Sequence, residues 1–388
     1  MPQMGIPTNT TAQSPGSFSS VEKTVGAEFG LINLLKAVAA QLIVLHHLAF
    51  YGPMADHVRP VAPGLIDWLD AHARIAVQVF LVLGGFLAAK SLCPAGNPGI
   101  SRPLSTAWRR YVKLVPPFLV ATVLAVGASA WASQWMAHDS ISAPPHFFQL
   151  ASHALLLHSV LGYESVSAGA WYVAIDFQLY TALTLLLWLS GRLAGNRRLP
   201  WLMPVLIVAG IAASLLHFNR DAGWDVWAPY FFGSYGLGIL AWWASEPGRR
   251  PAATWVLIAA ILLPTLSALA IDFRSRIALA LITACMLAWI GRSRLPLPYP
   301  GRLRALIDVL GRLSYSVFLI HFPVCLIVNA AFTRFVPDQP LLQAFGMLLA
   351  WGASLAAGAA FYRWVELPLG RLSTSAGRLA LSDLMKKQ

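Results

Sequence analysis

Charge is scarce in this chain. Asp, Glu, Lys and Arg together make up 11% of its 388 residues, against 57% hydrophobic. That balance excludes a soluble domain and points to a membrane protein. Cysteine is also scarce. Cys93, Cys285 and Cys325 stand isolated, which removes a disulfide framework and any Cys-based metal site. The His and Asp residues of PMADHVRPVAPGLIDWLDAHAR match no metal spacing, so no metal is expected. Neither a Gly-rich phosphate loop nor a nucleophile elbow occurs, and there is no internal repeat. The N-terminus lacks the positive stretch that opens a signal peptide. Acidic residues number 16 against 28 Lys and Arg, for a net charge of +12. These cations fall between apolar runs and not on one soluble face, which argues against a nucleic-acid partner and for basic cytoplasmic loops.

What the chain does have is long apolar runs. Ten spans are expected, near 30–50, 73–92, 112–133, 170–189, 200–217, 227–244, 253–271, 276–291, 311–332 and 341–362. The expected fold is an all-α, polytopic membrane helical bundle of about ten transmembrane helices, solvated by membrane lipids. One further apolar segment, 146–160, is short and holds three His. If it crossed the membrane, the loop with Arg192, Arg197 and Arg198 would invert, so it is expected to lie at the interface or re-enter. The other side then holds only Arg59, Arg74, Arg220, Arg274, Arg276 and Arg334. Both termini are expected in the cytoplasm. Residues 1–27 are expected to be a disordered tail, 28–370 the membrane domain, and 371–388 a second cytoplasmic tail too short for a soluble catalytic domain.

The first span, LINLLKAVAAQLIVLHHLAF, carries Lys36 inside its apolar run and His46-His47 near its far end. Lys36 and His47 are eleven residues apart, which brings them to within about 20° of one face and separates them by roughly 16 Å along the axis. His46 points about 80° away from Lys36 on the same arithmetic. A cation at the bilayer centre costs at least ~2.5 kcal/mol, so Lys36 is expected to face the bundle interior. A lysine snorkelling to one edge is the plainer alternative.

Other polar groups are candidates. Asp176 lies within the fourth span, flanked by Trp171 and Tyr180, and an intramembrane carboxylate needs a partner. Either a structural ion pair or a site satisfies that need. Arg109, Arg110 and Lys113 cluster where the third span begins, as topology signals or as a phosphate site. Gly84-Gly85 permits close helix approach. Tyr315 and His321 lie along the ninth span. Pro323 frees a backbone carbonyl that His321 could satisfy, so His321 is expected to be structural or substrate-positioning. Glu366 is expected to pair with Arg363.

Several stretches resemble the acyltransferase-3 family of bacterial integral-membrane O-acyltransferases. The family's basic residue, ten intervening residues and His correspond to Lys36 and His47. Its FFVLSGFL corresponds to FLVLGGFL here, its RRLLRIYPPYLVA to RRYVKLVPPFLVA, and its WSLSVEEQFYL to WYVAIDFQLYT. Its LGRISYSLYLWHWPV corresponds to LGRLSYSVFLIHFPV, and its YRLIERPF to YRWVELPL. Six motifs in the right order are a strong signal, although Lys36, Gly84 and Asp176 replace the usual Arg, Ser and Glu. The resemblance implies transfer of an acyl group, commonly acetyl, from acyl-CoA as co-substrate, with no permanently bound cofactor. The acceptor would be a hydroxyl of a cell-surface polysaccharide or a lipid-linked sugar, or of a small antibiotic such as a macrolide. On that footing His47 would be the general base, with Asp176 orienting it or the acceptor. Lys36, Arg109, Arg110 and Lys113 would hold the CoA phosphates, and Trp171, Tyr180, Tyr315 and His321 would meet substrate. Transfer is direct or through an acyl-enzyme. A transporter or flippase would also suit intramembrane Lys, His and Asp. The expected location is the bacterial inner membrane.

Overall fold

The structure, a computed structural model, describes residues 16–96, 100–194, 199, 201–293 and 300–372. Among the described residues every regular element is helical. The chain enters α1 (Gly16–Phe50), folds through the short α2 (Pro53–Val58) and α3 (Pro63–His72), and returns as α4 (Val77–Leu92). It continues as α5 (Pro103–Ala132), the short α6 (Phe147–Ala154), α7 (Ala170–Ala194) and α8 (Leu202–Leu216). The second half is α9 (Ala228–Ser245), α10 (Pro251–Ile271), α11 (Ser275–Ser293), α12 (Gly301–Phe335) and α13 (Pro340–Phe361).

The helix α1 begins at Gly16, inside the segment expected to be a disordered tail. Extending a helix that is already nucleated adds a hydrogen bond per residue at no further nucleation cost. The rest of the two expected tails, 1–15 and 373–388, lies outside the described residues, as do Arg197 and Arg198.

Nine helical stretches among the described residues are long and apolar enough to cross a membrane. The tenth expected span, α9, forms but is not among them. It is the central helix, touching α4, α7, α8, α10 and α11, with 16 of its 18 residues buried. A helix wrapped by protein presents little surface to lipid, so it tolerates the Gly, Ser, Tyr and Trp that lower its apolarity. The ambiguous segment 146–160 holds only the eight-residue α6. At roughly 12 Å it is too short to cross. Its Phe147 and Phe148 are exposed.

Glycine sets the closest helix contact. A Cβ on Gly85 would fall on the Tyr235 carbonyl, and one on Gly238 would fall on the Val82 carbonyl. The α4–α9 crossing therefore exists only because both positions lack a side chain. On the other flank α1 packs along α12, where Asn33 donates to Asp308 at 2.8 Å. The pairing of α1 with α12 positions the site, because both helices carry its polar residues.

Candidate active site

A cavity of about 630 Å³ opens between α1, α4, α5, α7, α12 and the chain following α13. Lys36 reaches it from α1 and so faces the bundle interior, as the cost of a cation in lipid led us to expect. Arg110 and Lys113 enter from α5, one turn apart, and Asp176 from α7. The last contributor is a π-helical turn, Tyr362–Glu366. Such turns are frequent at functional sites. This one brings Tyr362 and Glu366 to the cavity wall, with Arg371 beyond. Four cations thus face two carboxylates. The remaining wall is mostly apolar or aromatic and includes Phe80, Leu83, Leu114, Tyr172, Tyr315 and Phe318.

The partner that Asp176 requires is Arg110. Arg110 Nη2 donates to Asp176 Oδ2 at 2.6 Å, and the guanidinium lies 5.1 Å from the Tyr180 ring centre. The contact uses one edge of each group. Arg110 Nε and the Tyr235 hydroxyl are buried without a hydrogen-bond partner. Arg110 is therefore held inside the bundle by a carboxylate, and is not a surface topology signal. Arg109 behaves differently. It is exposed and donates to Thr106 of its own helix at 3.3 Å. Of the three clustered cations, Arg110 and Lys113 reach the cavity wall and Arg109 does not.

Asp176 makes no contact with an imidazole. His47 meets His321 instead, Nδ1 to Nε2 at 2.6 Å, with the ring planes within 4°. His321 Nδ1 is bonded to the Val317 carbonyl at 3.1 Å. That carbonyl is not the Leu319 carbonyl that Pro323 deprives of its i+4 donor. His46 points elsewhere, as expected: its Nδ1 donates to the Leu69 carbonyl at 3.0 Å and ties α1 to α3.

His47 and His321 do not line the cavity; they lie just past its wall. Phe318 belongs to both regions, lining the cavity and sitting 6.1 Å from the His321 ring. Phe80 and Tyr172 pack against Phe318 at 6.3 and 5.3 Å. Phe318, braced by Phe80 and Tyr172, thus bridges the cavity wall and the His321 ring. Trp171 packs on Phe231 and lies outside the cavity wall, and Tyr180 sits beneath Arg110. Tyr315 lines the wall and donates to the Leu114 carbonyl at 3.2 Å.

Sequence reasoning did not single out Tyr172 or Phe318, and it gave Glu366 a different partner. Glu366 does not take Arg363 as its partner; it accepts from Ser316 at 2.5 Å and shares its field with Lys36 and Lys113. A carboxylate four residues past a tyrosine in an apolar helix was the available signal. Chemically, the cavity suits an anionic ligand with an apolar extension, and the paired imidazoles suit proton transfer.

The profile of the acyltransferase-3 family, described as an acyltransferase domain, matches residues 30–361. The chain belongs to the acyltransferase-3 family. The match begins at the first residue of the Lys36–His47 span and ends one residue before the π turn, so it takes in most of the cavity. A regulator of hypoxia-inducible factor 1 from Caenorhabditis elegans is 25% identical over 169 residues, which is 40% of this chain. The chain covers 33% of the length of that relative. No solved structure matches the chain.

Proposed function

We propose that this acyltransferase-3 protein is a membrane O-acyltransferase that moves an acyl group, acetyl in the first instance, from acyl-CoA to a hydroxyl of a surface polysaccharide or lipid-linked sugar. The proposed setting is the bacterial inner membrane, with the Lys36 end of the bundle toward the cytoplasm. The observation that carries the reading is the arrangement along α1 and α12: a cation-rich cavity at Lys36, and a hydrogen-bonded imidazole pair past its aromatic end. CoA phosphates would meet Lys36, Lys113 and Arg371, and the pantetheine arm would run along the apolar wall toward Phe318. The thioester reaches His47 when the Phe318 ring turns aside.

In the proposed step His47 Nε2 takes the proton from the acceptor hydroxyl. The freed oxygen attacks the thioester carbonyl, the C–S bond breaks, and the leaving sulfur recovers the proton from His47. The products are an ester and free CoA. A positioned general base contributes about 10²–10⁴-fold to such a rate.

The test uses the full chain in lipid nanodiscs with radiolabelled acetyl-CoA and a lipid-linked glycan fraction. His47→Ala should lose transfer by about 10²-fold or more, while His46→Ala keeps most of it. Transfer that survives in His47→Ala and disappears in His46→Ala overturns the proposal.

A further inference from the structure

The contacts of His321 fix a hydrogen direction that the two rings alone would leave open. A carbonyl oxygen only accepts, so the Val317 oxygen requires a hydrogen on His321 Nδ1. A neutral imidazole carries one N–H, so His321 Nε2 presents a lone pair. The 2.6 Å contact then requires His47 to donate from Nδ1. His47 is left with its lone pair on Nε2, and among the described residues no hydrogen bond engages that nitrogen. His321 is fully buried and His47 keeps 9% exposure, so His47 is the ring with an outlet.

We propose that His321 is a positioning residue. It fixes which nitrogen of His47 acts as base, and it holds the ring plane. This deepens the acyl-transfer reading and rests on it. The Val317–His321–His47 chain is anchored at its far end by a helix backbone that cannot reorient. Without an acceptor at His321 Nε2, His47 would populate both tautomers, and one of them places a hydrogen where the lone pair is needed. His46 is held in the same tautomer by the Leu69 carbonyl, but only His47 owes its tautomer to another imidazole. His321 itself touches neither the cavity nor the proposed reacting atoms.

The experiment compares His321→Gln with His321→Leu in the full chain in nanodiscs, reading kcat, the KM for acetyl-CoA and the melting temperature. Gln places an amide oxygen near the position of the lost Nε2 and can accept from His47 Nδ1–H. Leu fills similar space and cannot. His321→Leu should lower kcat by about 10²-fold, with the KM for acetyl-CoA within about threefold of wild type. His321→Gln should recover at least tenfold of that loss. Equal kcat for the two variants overturns the proposal.

A second measurement does not depend on turnover or on the Leu variant folding. Nitrogen NMR of histidine-labelled wild-type protein, assigned against His47→Ala, should show His47 protonated at Nδ1 and bare at Nε2. The opposite tautomer overturns the inference. Full transfer by His47→Ala would instead remove the acyl-transfer role of His47 while leaving the tautomer result standing, so the two failures are distinguishable.

Discussion

The Arg110–Asp176 contact allows a worked prediction. Asp176→Asn removes one charge of a pair whose side chains keep 27% and 10% of their exposure. Breaking a buried pair by removing one partner costs about 3–5 kcal/mol, because the remaining charge is left uncompensated. Arg110 keeps a partial outlet into the cavity, so the lower end, about 3 kcal/mol, applies. Replacing both partners with apolar groups of similar size removes the desolvation penalty along with the attraction, and should fall within about 1 kcal/mol of wild type. With each of Asp176→Leu and Arg110→Met costing about 3 kcal/mol and the double variant within about 1, a double-mutant cycle should therefore give a coupling energy of about 5 kcal/mol. The stability assay is denaturant or thermal unfolding in detergent at fixed protein concentration. The same proteins, assayed for acyl transfer, separate a structural pair from a functional one. A double variant that regains stability but not transfer assigns the pair to the site. A coupling energy below about 1 kcal/mol would refute the reasoning, because it would place the pair in a solvated environment.

Two further outcomes follow from the packing. Gly85→Ala should lower the melting temperature by several degrees, because its Cβ lands on the Tyr235 carbonyl and overpacking costs about 1–3 kcal/mol. Gly84→Ala, whose Cβ would meet the Tyr235 ring at 3.3 Å and Asp176 at 3.6 Å, should be tolerated far better. Thermal melts of the two neighbouring variants check the contrast directly. His158, in the segment after α6, is fully buried with both ring nitrogens unpartnered, and it stacks on His153 at 4.1 Å. Burial pushes its pKa down to about 3, with the nearby His153 adding to the shift. The unfolded chain binds the proton near pH 6.5 and the folded chain does not, so stability falls as pH drops from about 7 toward 3. Melting temperature against pH should show that decline, and His158→Phe should flatten part of it.

How much of this was legible in the sequence depends on the range of the interaction. Hydropathy located the helices, because burial in lipid is a property of one segment at a time. The 3.6-residue period set Lys36 and His47 on one face and His46 aside, because all three ride on one helix; a cavity shared by Lys36 and His47 was expected, and of the two only Lys36 lines it. Asp176 was legible as a residue needing a partner, but the choice of Arg110, 66 positions away, was not. The central α9 was read as one more span, although its Gly, Ser and Tyr content already suggested a helix shielded from lipid. What the pattern could not supply was the identity of the shield.

The partners of Glu366 and His321, and the place of Phe318, were not legible for a common reason. Glu366 and His321 were weighed against residues near them in sequence, and all three meet residues brought near by helix crossing. Glu366 was given Arg363, three positions back. A π turn inserts one extra residue per turn and rotates the following face, which carries Glu366 toward Ser316 and Lys36. His321 was weighed against Pro323, when its decisive contacts are a carbonyl one turn back and a ring on α1. Phe318 shares the face of α12 that bears His321, one turn along, and on sequence alone it is one apolar residue among many. It lines the cavity and also packs against the His321 ring. The helices α1 and α12 meet directly through Asn33–Asp308 and His47–His321, while His46, Tyr315 and Ser316 take their partners from α3, α5 and the π turn.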